Sequence, residues 1–313
     1  MLAAVARLPR APGVYRFRGG GRVLYLGRAV DLRRRVASYW GDLAGRRHLR
    51  VMVSRIERVE AVVCDSAHEA AWLEHNLLRT RRPPWNRSRG EEVPVQVRLD
   101  TRPRSTGLAV VHVADGPNRV PSPGGVELFG PYLGGVRTRL AVAGLQRVLP
   151  VAYAADGLSG SGVDLGRVLG VDPLDRESLL ATLRRVLDRD PEAVEQVRRG
   201  LVACRDAAVG ALRFERAGQV QAELEALEWL AEEQKVALLA QVDLEIAGWA
   251  DDVLVRFEIR DGRLCSWKQS RCSTVRAVPY LAATPPAWTA FARRTAELAA
   301  ALASARDLSP SGS

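Results

Sequence analysis

The first pattern along the chain is two-residue alternation. Gly13-Val14-Tyr15-Arg16-Phe17-Arg18 and Arg22-Val23-Leu24-Tyr25-Leu26-Gly27-Arg28 alternate in this way, and Gly19-Gly20-Gly21 separates them. Period-two runs joined by a short glycine-rich loop predict a β-hairpin. Alternation groups Tyr15 with Gly13 and Phe17, and Tyr25 with Val23 and Gly27. The period then lengthens. Asp31 can cap a helix that carries Arg33, Arg34 and Arg35 and leads to Tyr39. Leu49, Val53 and Ile56 predict a second helix within residues 46–56, and residues 58–65 read as a third strand. Ser66-Ala67-His68-Glu69 has the form of a capping box, opening a helix through Leu78 with Ala70, Leu73 and Leu77 as its apolar stripe. Glu74 lies beside that stripe and turns towards the domain body. A part-buried carboxylate needs a cation or hydrogen-bond donors, and an arginine or a metal ion would each serve.

Downstream the pattern is mixed over residues 91–155. A Gly/Ser-rich stretch then marks residues 156–174 as a flexible linker. Residues 175–240 are helical in period: 175–187, 192–212 with Pro191 near its start, and a third helix from Phe214 with Val220, Leu224, Leu227 and Leu230 on its apolar side. Gly218 within that helix costs about 1 kcal/mol relative to alanine. Residues 241–305 read as a small α/β region, with strands at 243–247, 253–259 and 264–268 and a final helix at 287–303. A polar tail, 306–313, is expected to be disordered.

The chain has 313 residues and is 47% hydrophobic, enough for two or three domains. No apolar run is long enough to span a membrane, and the N-terminus does not read as a signal peptide, so a cytoplasmic protein with no membrane partner is expected. Cys64, Cys204, Cys265 and Cys272 are scattered without the paired spacing of a zinc site. Charge is uneven. Residues 1–100 hold 20 arginines against 10 acidic residues, a net +10 that equals the net charge of the whole chain. A positive excess confined to the first third predicts a polyanion-binding domain there.

Gly13-Val14-Tyr15, Tyr25-Leu26-Gly27 and the arginine helix after them resemble the core of the GIY-YIG nuclease family. Leu73-Glu74-His75-Asn76-Leu77-Leu78 and Pro83-Pro84-Trp85-Asn86 are similar to the helix and turn that close this domain in the UvrC/Cho-like branch, with Trp85 where tyrosine is usual. Leu128-Phe129-Gly130-Pro131-Tyr132-Leu133 resembles a further UvrC segment. Phe214-Glu215-Arg216-Ala217 and Glu233-Gln234-Lys235-Val236 resemble the UVR helical hairpin, over about residues 203–238. The resemblance implies an α+β protein. Its parts would be a GIY-YIG domain over 1–90 with a small antiparallel three-stranded sheet and flanking helices, a UvrC-like middle region, the hairpin, and a C-terminal remnant without the family's RNase H-like nuclease or helix-hairpin-helix. The cysteine-rich stretch usual after the Tyr132 region is missing, so neither an iron–sulfur cluster nor zinc is expected.

The same resemblance implies site roles. Glu74 would be the sole protein ligand of one Mg²⁺ or Mn²⁺, a hard cation suited to carboxylate and water. Tyr25 would deprotonate the attacking water, its pKa lowered by Arg28 and Arg35. Tyr15 and Tyr39 would line the site, Arg35 would hold phosphate and Asn86 would brace the site. Arg28 stands where lysine is usual. Taken one at a time, the tyrosines read as strand core. Arg33, Arg34, Arg46, Arg47 and Arg50 are candidates for DNA contact, and Phe214, Glu215, Arg216 and Leu224 for contact with UvrB. The expected function is a metal-dependent endonuclease of nucleotide excision repair, making one incision, 3′ to a lesion, in damaged or distorted double-stranded DNA. The alternative is a non-catalytic DNA- or UvrB-binding accessory.

Overall fold

β1 (Gly13–Gly19) and β2 (Arg22–Ala29) form the expected antiparallel hairpin, with Tyr15 opposite Gly27 and Phe17 opposite Tyr25. In the computed structural model the described residues are 2–41, 47–86, 93–103, 105, 107–112, 124–154, 160–168, 171, 175–238 and 242–307. Before the hairpin comes a short helix, α1 (Leu2–Ala6); after it come α2 (Leu32–Ala37) and α3 (Arg47–Val53). β3 (Arg58–Val63) pairs with the other edge of β1, giving sheet order β2-β1-β3. α4 (Ala67–Thr80) starts at Ser66, whose hydroxyl accepts the Glu69 N–H at 2.9 Å, as the capping box requires. One face of the sheet gives Tyr15, Phe17, Val59, Ala61 and Val63 to a core with Leu8, Leu32, Val36 and Tyr39.

The chain divides into two contact units, residues 1–90 with 233–313, and residues 91–232. The second unit contains β4 (Val95–Asp100), β5 (Leu108–His112) and β6 (Val126–Tyr132), in sheet order β5-β4-β6. Its helices are α5 (Gly135–Val148), α6 (Ser161–Val168), α7 (Arg176–Leu187), α8 (Pro191–Gly210) and α9 (Phe214–Ala231). Asp190 caps α8 by accepting the Ala193 N–H, with Pro191 in the first turn, where its missing N–H is harmless. α8 and α9 make a hairpin whose apolar side, including Val220, Leu224, Leu227 and Leu230, joins Leu201 and Leu145 in one core. Glu223 is fully buried there and receives two hydrogen bonds of 2.7 Å from Arg147 on α5. Of the stretch expected as a linker, Ser161–Val168 forms α6, and most of the remainder lies outside the described residues.

The chain then returns to the first unit. β7 (Leu244–Ala250), β8 (Val253–Arg260) and β9 (Arg263–Arg271) form an antiparallel meander, followed by α10 (Thr274–Ala282) and α11 (Pro286–Asp307). α10 matches no expected element. Only Ala277 is buried on it, while Val275, Val278 and Leu281, spaced along one face, are exposed. The meander meets the N-terminal sheet at Arg16, while α4 packs on β1 and β2. Arg16 on β1 pairs with its cross-strand neighbour Glu60 on β3, lies over the Trp267 indole with 3.8 Å from guanidinium carbon to ring centroid, and donates to the Trp267 carbonyl at 2.8 Å. The expected tail mostly lies outside the described residues, since α11 runs to Asp307.

Candidate active site

Tyr15 crosses β2 directly above Gly27. A Cβ at Gly27 would stand 2.7 Å from the Tyr15 hydroxyl oxygen and 2.8 Å from the Tyr25 ring, so no other residue fits without moving both rings. That explains the glycine of the Tyr-Leu-Gly word in steric terms. Alternation brings Tyr15, Phe17 and Tyr25 to one face, where Tyr39 from just beyond α2 joins them. Ring centroids lie 6.2 Å apart for Tyr15–Tyr25 and 6.0 Å apart for both Tyr15–Tyr39 and Tyr25–Tyr39. The Tyr15 and Tyr39 hydroxyls are hydrogen-bonded at 2.8 Å.

Arg35 closes this cluster. α2 is held by Asp31, whose side chain accepts the Arg34 N–H. From that helix Arg35 donates through Nε to the Tyr15 hydroxyl at 3.3 Å and through Nη2 to the Tyr39 hydroxyl at 3.5 Å. A guanidinium presents its donors as a rigid fork, so one side chain can orient two phenols and keep other N–H groups for an anion.

Asn86 lies 60 residues from Leu26, the strand residue it braces. Its Oδ1 accepts the Leu26 N–H at 2.9 Å and its Nδ2 donates to the Leu26 carbonyl at 2.7 Å, so one amide replaces a strand partner beside Tyr25. The neighbouring Trp85 N–H donates to the Leu24 carbonyl. That bond uses the main chain, so tryptophan serves in place of the usual tyrosine without loss of the brace.

Glu74 projects from α4 with its side chain 21% exposed and its Oε2 3.3 Å from Nε of Arg28. Both sequence expectations for this carboxylate meet here: it turns inwards, and an arginine answers its charge. Among the described residues no cluster of three or more His, Cys, Asp or Glu could hold a metal ion. A single, partly exposed carboxylate fits Mg²⁺ or Mn²⁺, which keeps much of its water shell, and lacks the three or four protein ligands that zinc takes.

The pKa expectation for Tyr25 is reversed. Burial, then the proximity of Tyr39 and Glu74, push its hydroxyl above the ordinary value of about 10, and Arg35 only partly opposes them. Arg28 is not among the groups that set this shift; its guanidinium faces Glu74 instead. Tyr15 is shifted up as well, first by burial and then by Tyr39 and Tyr25.

The other candidates divide. Arg34 and Arg50 are exposed; Arg33 is half-buried and donates to the Leu8 carbonyl at 2.6 Å. Arg46 lies outside the described residues, as does the side chain of Arg47. Phe214 is 65% exposed at the tip of the α8–α9 hairpin, with Glu215 and Arg216 exposed beside it. Leu224 is only 5% exposed and packs inwards in the core of the second unit, so it presents nothing to a partner. Reasoning from sequence passed over Phe17, which stacks on Tyr25 at 6.1 Å between centroids; its place in the alternation could have revealed it.

Residues 11–87 match the model of the UvrC-like GIY-YIG domain. The chain carries a UvrC-like GIY-YIG domain. UvrABC system protein C of Geobacter metallireducens is 34% identical over 47% of this chain and 23% of its own length. The same protein of Erwinia tasmaniensis is 30% identical over 77% of this chain and 40% of its length. That of Mycolicibacterium paratuberculosis is 30% identical over 83% and 42%. The chain thus spans well under half the length of these relatives. A solved GIY-YIG N-terminal endonuclease domain of UvrC from Thermotoga maritima, bound to its catalytic magnesium, is 30% identical over 26% of this chain and 91% of that one, with a TM-score of 0.25. The GIY-YIG domain is therefore related in sequence to excinuclease UvrC, and the similarity continues beyond it into the middle and helical regions.

Proposed function

We propose that this protein is a metal-dependent DNA endonuclease of nucleotide excision repair type, making one incision 3′ to a lesion or distortion. The observation that carries this reading is the convergence of Tyr15, Tyr39 and Arg35 in one hydrogen-bonded group beside Tyr25, on the domain that holds the whole positive excess of the chain.

In this reading Arg35 keeps its fork on the tyrosines and turns its remaining N–H groups to the scissile phosphate. Tyr15 and Tyr39 fix the direction of that fork. The Tyr25 oxygen accepts a hydrogen bond from the attacking water and takes its proton when Tyr25 is a phenolate, a form favoured by Arg35 and opposed by burial. Glu74 would hold a divalent cation, which supplies charge neutralisation at the phosphate and at the leaving oxygen. Arg34 and Arg50 lie exposed for the DNA backbone. The exposed tip around Leu212 and Phe214 is the surface for UvrB.

A second reading is supported by the Arg28–Glu74 pair, which gives the carboxylate a counter-charge without any metal. The protein would then be a DNA- or UvrB-binding accessory. Cleavage of a 5′-labelled duplex with one bulky lesion decides, with and without UvrA, UvrB and Mg²⁺. A single 3′ cut, lost in Glu74→Ala and Tyr25→Phe, upholds the nuclease. Binding without any cut, unchanged by Glu74→Ala, upholds the accessory.

A further inference from the structure

Arg28 and Glu74 make a loose pair. Their closest approach is 3.3 Å from Nε to Oε2, with side chains 41% and 21% exposed. Tight arginine–carboxylate contacts use two parallel bonds of about 2.7–2.9 Å. Arg147 and Glu223 achieve this in the second unit, with two bonds of 2.7 Å around a fully buried carboxylate. Arg28 thus offers Glu74 a counter-charge at small desolvation cost, on a side chain with several rotatable bonds and an open path to solvent. A divalent cation at Glu74 would meet a guanidinium already placed on the carboxylate, and two cations cannot share so small a space without strong repulsion.

Resting on the reading of Glu74 as the metal ligand, we infer that Arg28 is an exchangeable counter-ion which competes with the divalent cation for Glu74. A nucleic-acid phosphate releases the carboxylate by drawing Arg28 away. Metal affinity in the free protein is held down by the pair, and metal and DNA bind with positive coupling. An arginine suits this exchange, because the same planar fork that leans on Glu74 pairs well with phosphate.

The test is equilibrium binding of Mn²⁺ alone to the full chain, with free ion counted by electron paramagnetic resonance. The proteins are wild type, Arg28→Gln, Arg28→Lys, Glu74→Gln and the Arg28→Gln/Glu74→Gln double variant. Each is measured with and without a short undamaged duplex. The expected result is about fivefold tighter binding in Arg28→Gln, the size of a weak exposed ion pair. Arg28→Lys, which keeps the charge, should stay near wild type, and the gain should vanish in the double variant. Duplex should tighten wild type by a larger factor than Arg28→Gln. Equal Glu74-dependent affinity in wild type and Arg28→Gln would overturn the exchange while leaving Glu74 as ligand. Binding that ignores Glu74→Gln throughout would overturn the metal reading, and the exchange with it.

Discussion

The backbone N–H of Lys235 donates to Oε1 of Glu69 at 2.9 Å, joining residues 166 positions apart in the chain. Oε2 of the same carboxylate accepts the Asp65 N–H at 2.8 Å. Around this point Ser66 donates to the Glu233 carbonyl, Lys235 Nζ pairs with Asp65 at 2.9 Å, and Asn76 donates to the Val236 carbonyl. The segment 233–236 is therefore tied along α4, the helix that carries Glu74. Glu69 is fully buried, and burial raises its pKa despite the two N–H donors. Glu69→Ala would orphan both N–H groups and should destabilise the first unit by about 2–4 kcal/mol. Urea unfolding checks this, and a loss below about 0.5 kcal/mol would show that the tie has no energetic role.

Arg35 offers a test of geometry against charge. Arg35→Lys keeps the charge but cannot reach both phenols at once, so single-turnover cleavage should fall about 100-fold, close to the loss in Arg35→Ala. Tyr39→Phe removes one partner of the fork and should cost less, about tenfold. A lysine variant cutting at the wild-type rate would reduce Arg35 to a simple positive charge.

Much of this was legible in the sequence because it is local. The hairpin, the Asp31 and Ser66 caps and the inward turn of Glu74 follow from spacings of two to four residues. The fate of Arg28 was less accessible, since it required knowing that α4 brings Glu74 beside it. The raised pKa of Tyr25 depends on burial, which only tertiary packing sets. The same holds for Lys235: the Glu233–Val236 word was read as the end of a helical hairpin, yet α9 stops at Ala231 and these residues belong to the first contact unit. α10 does carry a helical period in Val275, Val278 and Leu281, but that face is exposed, so no packing against the core marks it as an element.

Gly218 lies inside α9, and a Cβ placed on it would meet nothing within 4 Å. Its backbone is helical, so alanine loses nothing in the folded state and restricts the unfolded one. Gly218→Ala should stabilise the second unit by about 1 kcal/mol in thermal or urea unfolding. Destabilisation would mean that this stretch of helix meets a neighbour in solution.

The buried tyrosines set an alkaline limit on stability. With the pKa of Tyr15 and Tyr25 raised in the fold, both states hold the phenolic proton below about pH 10 and stability is independent of these groups. Above that, the unfolded chain ionises and the folded one does not, so stability falls by about 1.4 kcal/mol per pH unit for each tyrosine, until the folded pKa is reached. Tyr15→Phe should cost about 1 kcal/mol at pH 8 through its lost hydrogen bonds, then fall less steeply than wild type above pH 10. Denaturation series at pH 8, 10 and 11 measure both slopes, and parallel slopes would show that Tyr15 titrates normally.

Trp267 tests whether the C-terminal meander is structurally part of the GIY-YIG domain. Arg16 and Glu60 are almost wholly buried at the centre of the N-terminal sheet, a position that β9 makes tolerable by laying the indole on the guanidinium and offering a backbone carbonyl. Trp267→Ala keeps the carbonyl but removes the ring, leaving a charged pair beneath a cavity. The expected loss is about 3–5 kcal/mol, the usual range for a buried tryptophan. Trp267→Phe, which keeps an aromatic face for the cation, should lose about 1–2 kcal/mol. Because Arg16 stands between Tyr15 and Phe17 on β1, amide hydrogen exchange in Trp267→Ala should quicken along β1 and not only in β9. Exchange confined to β9 would mean that the meander packs on the sheet without supporting it, and that the tyrosine face is held from its own side alone.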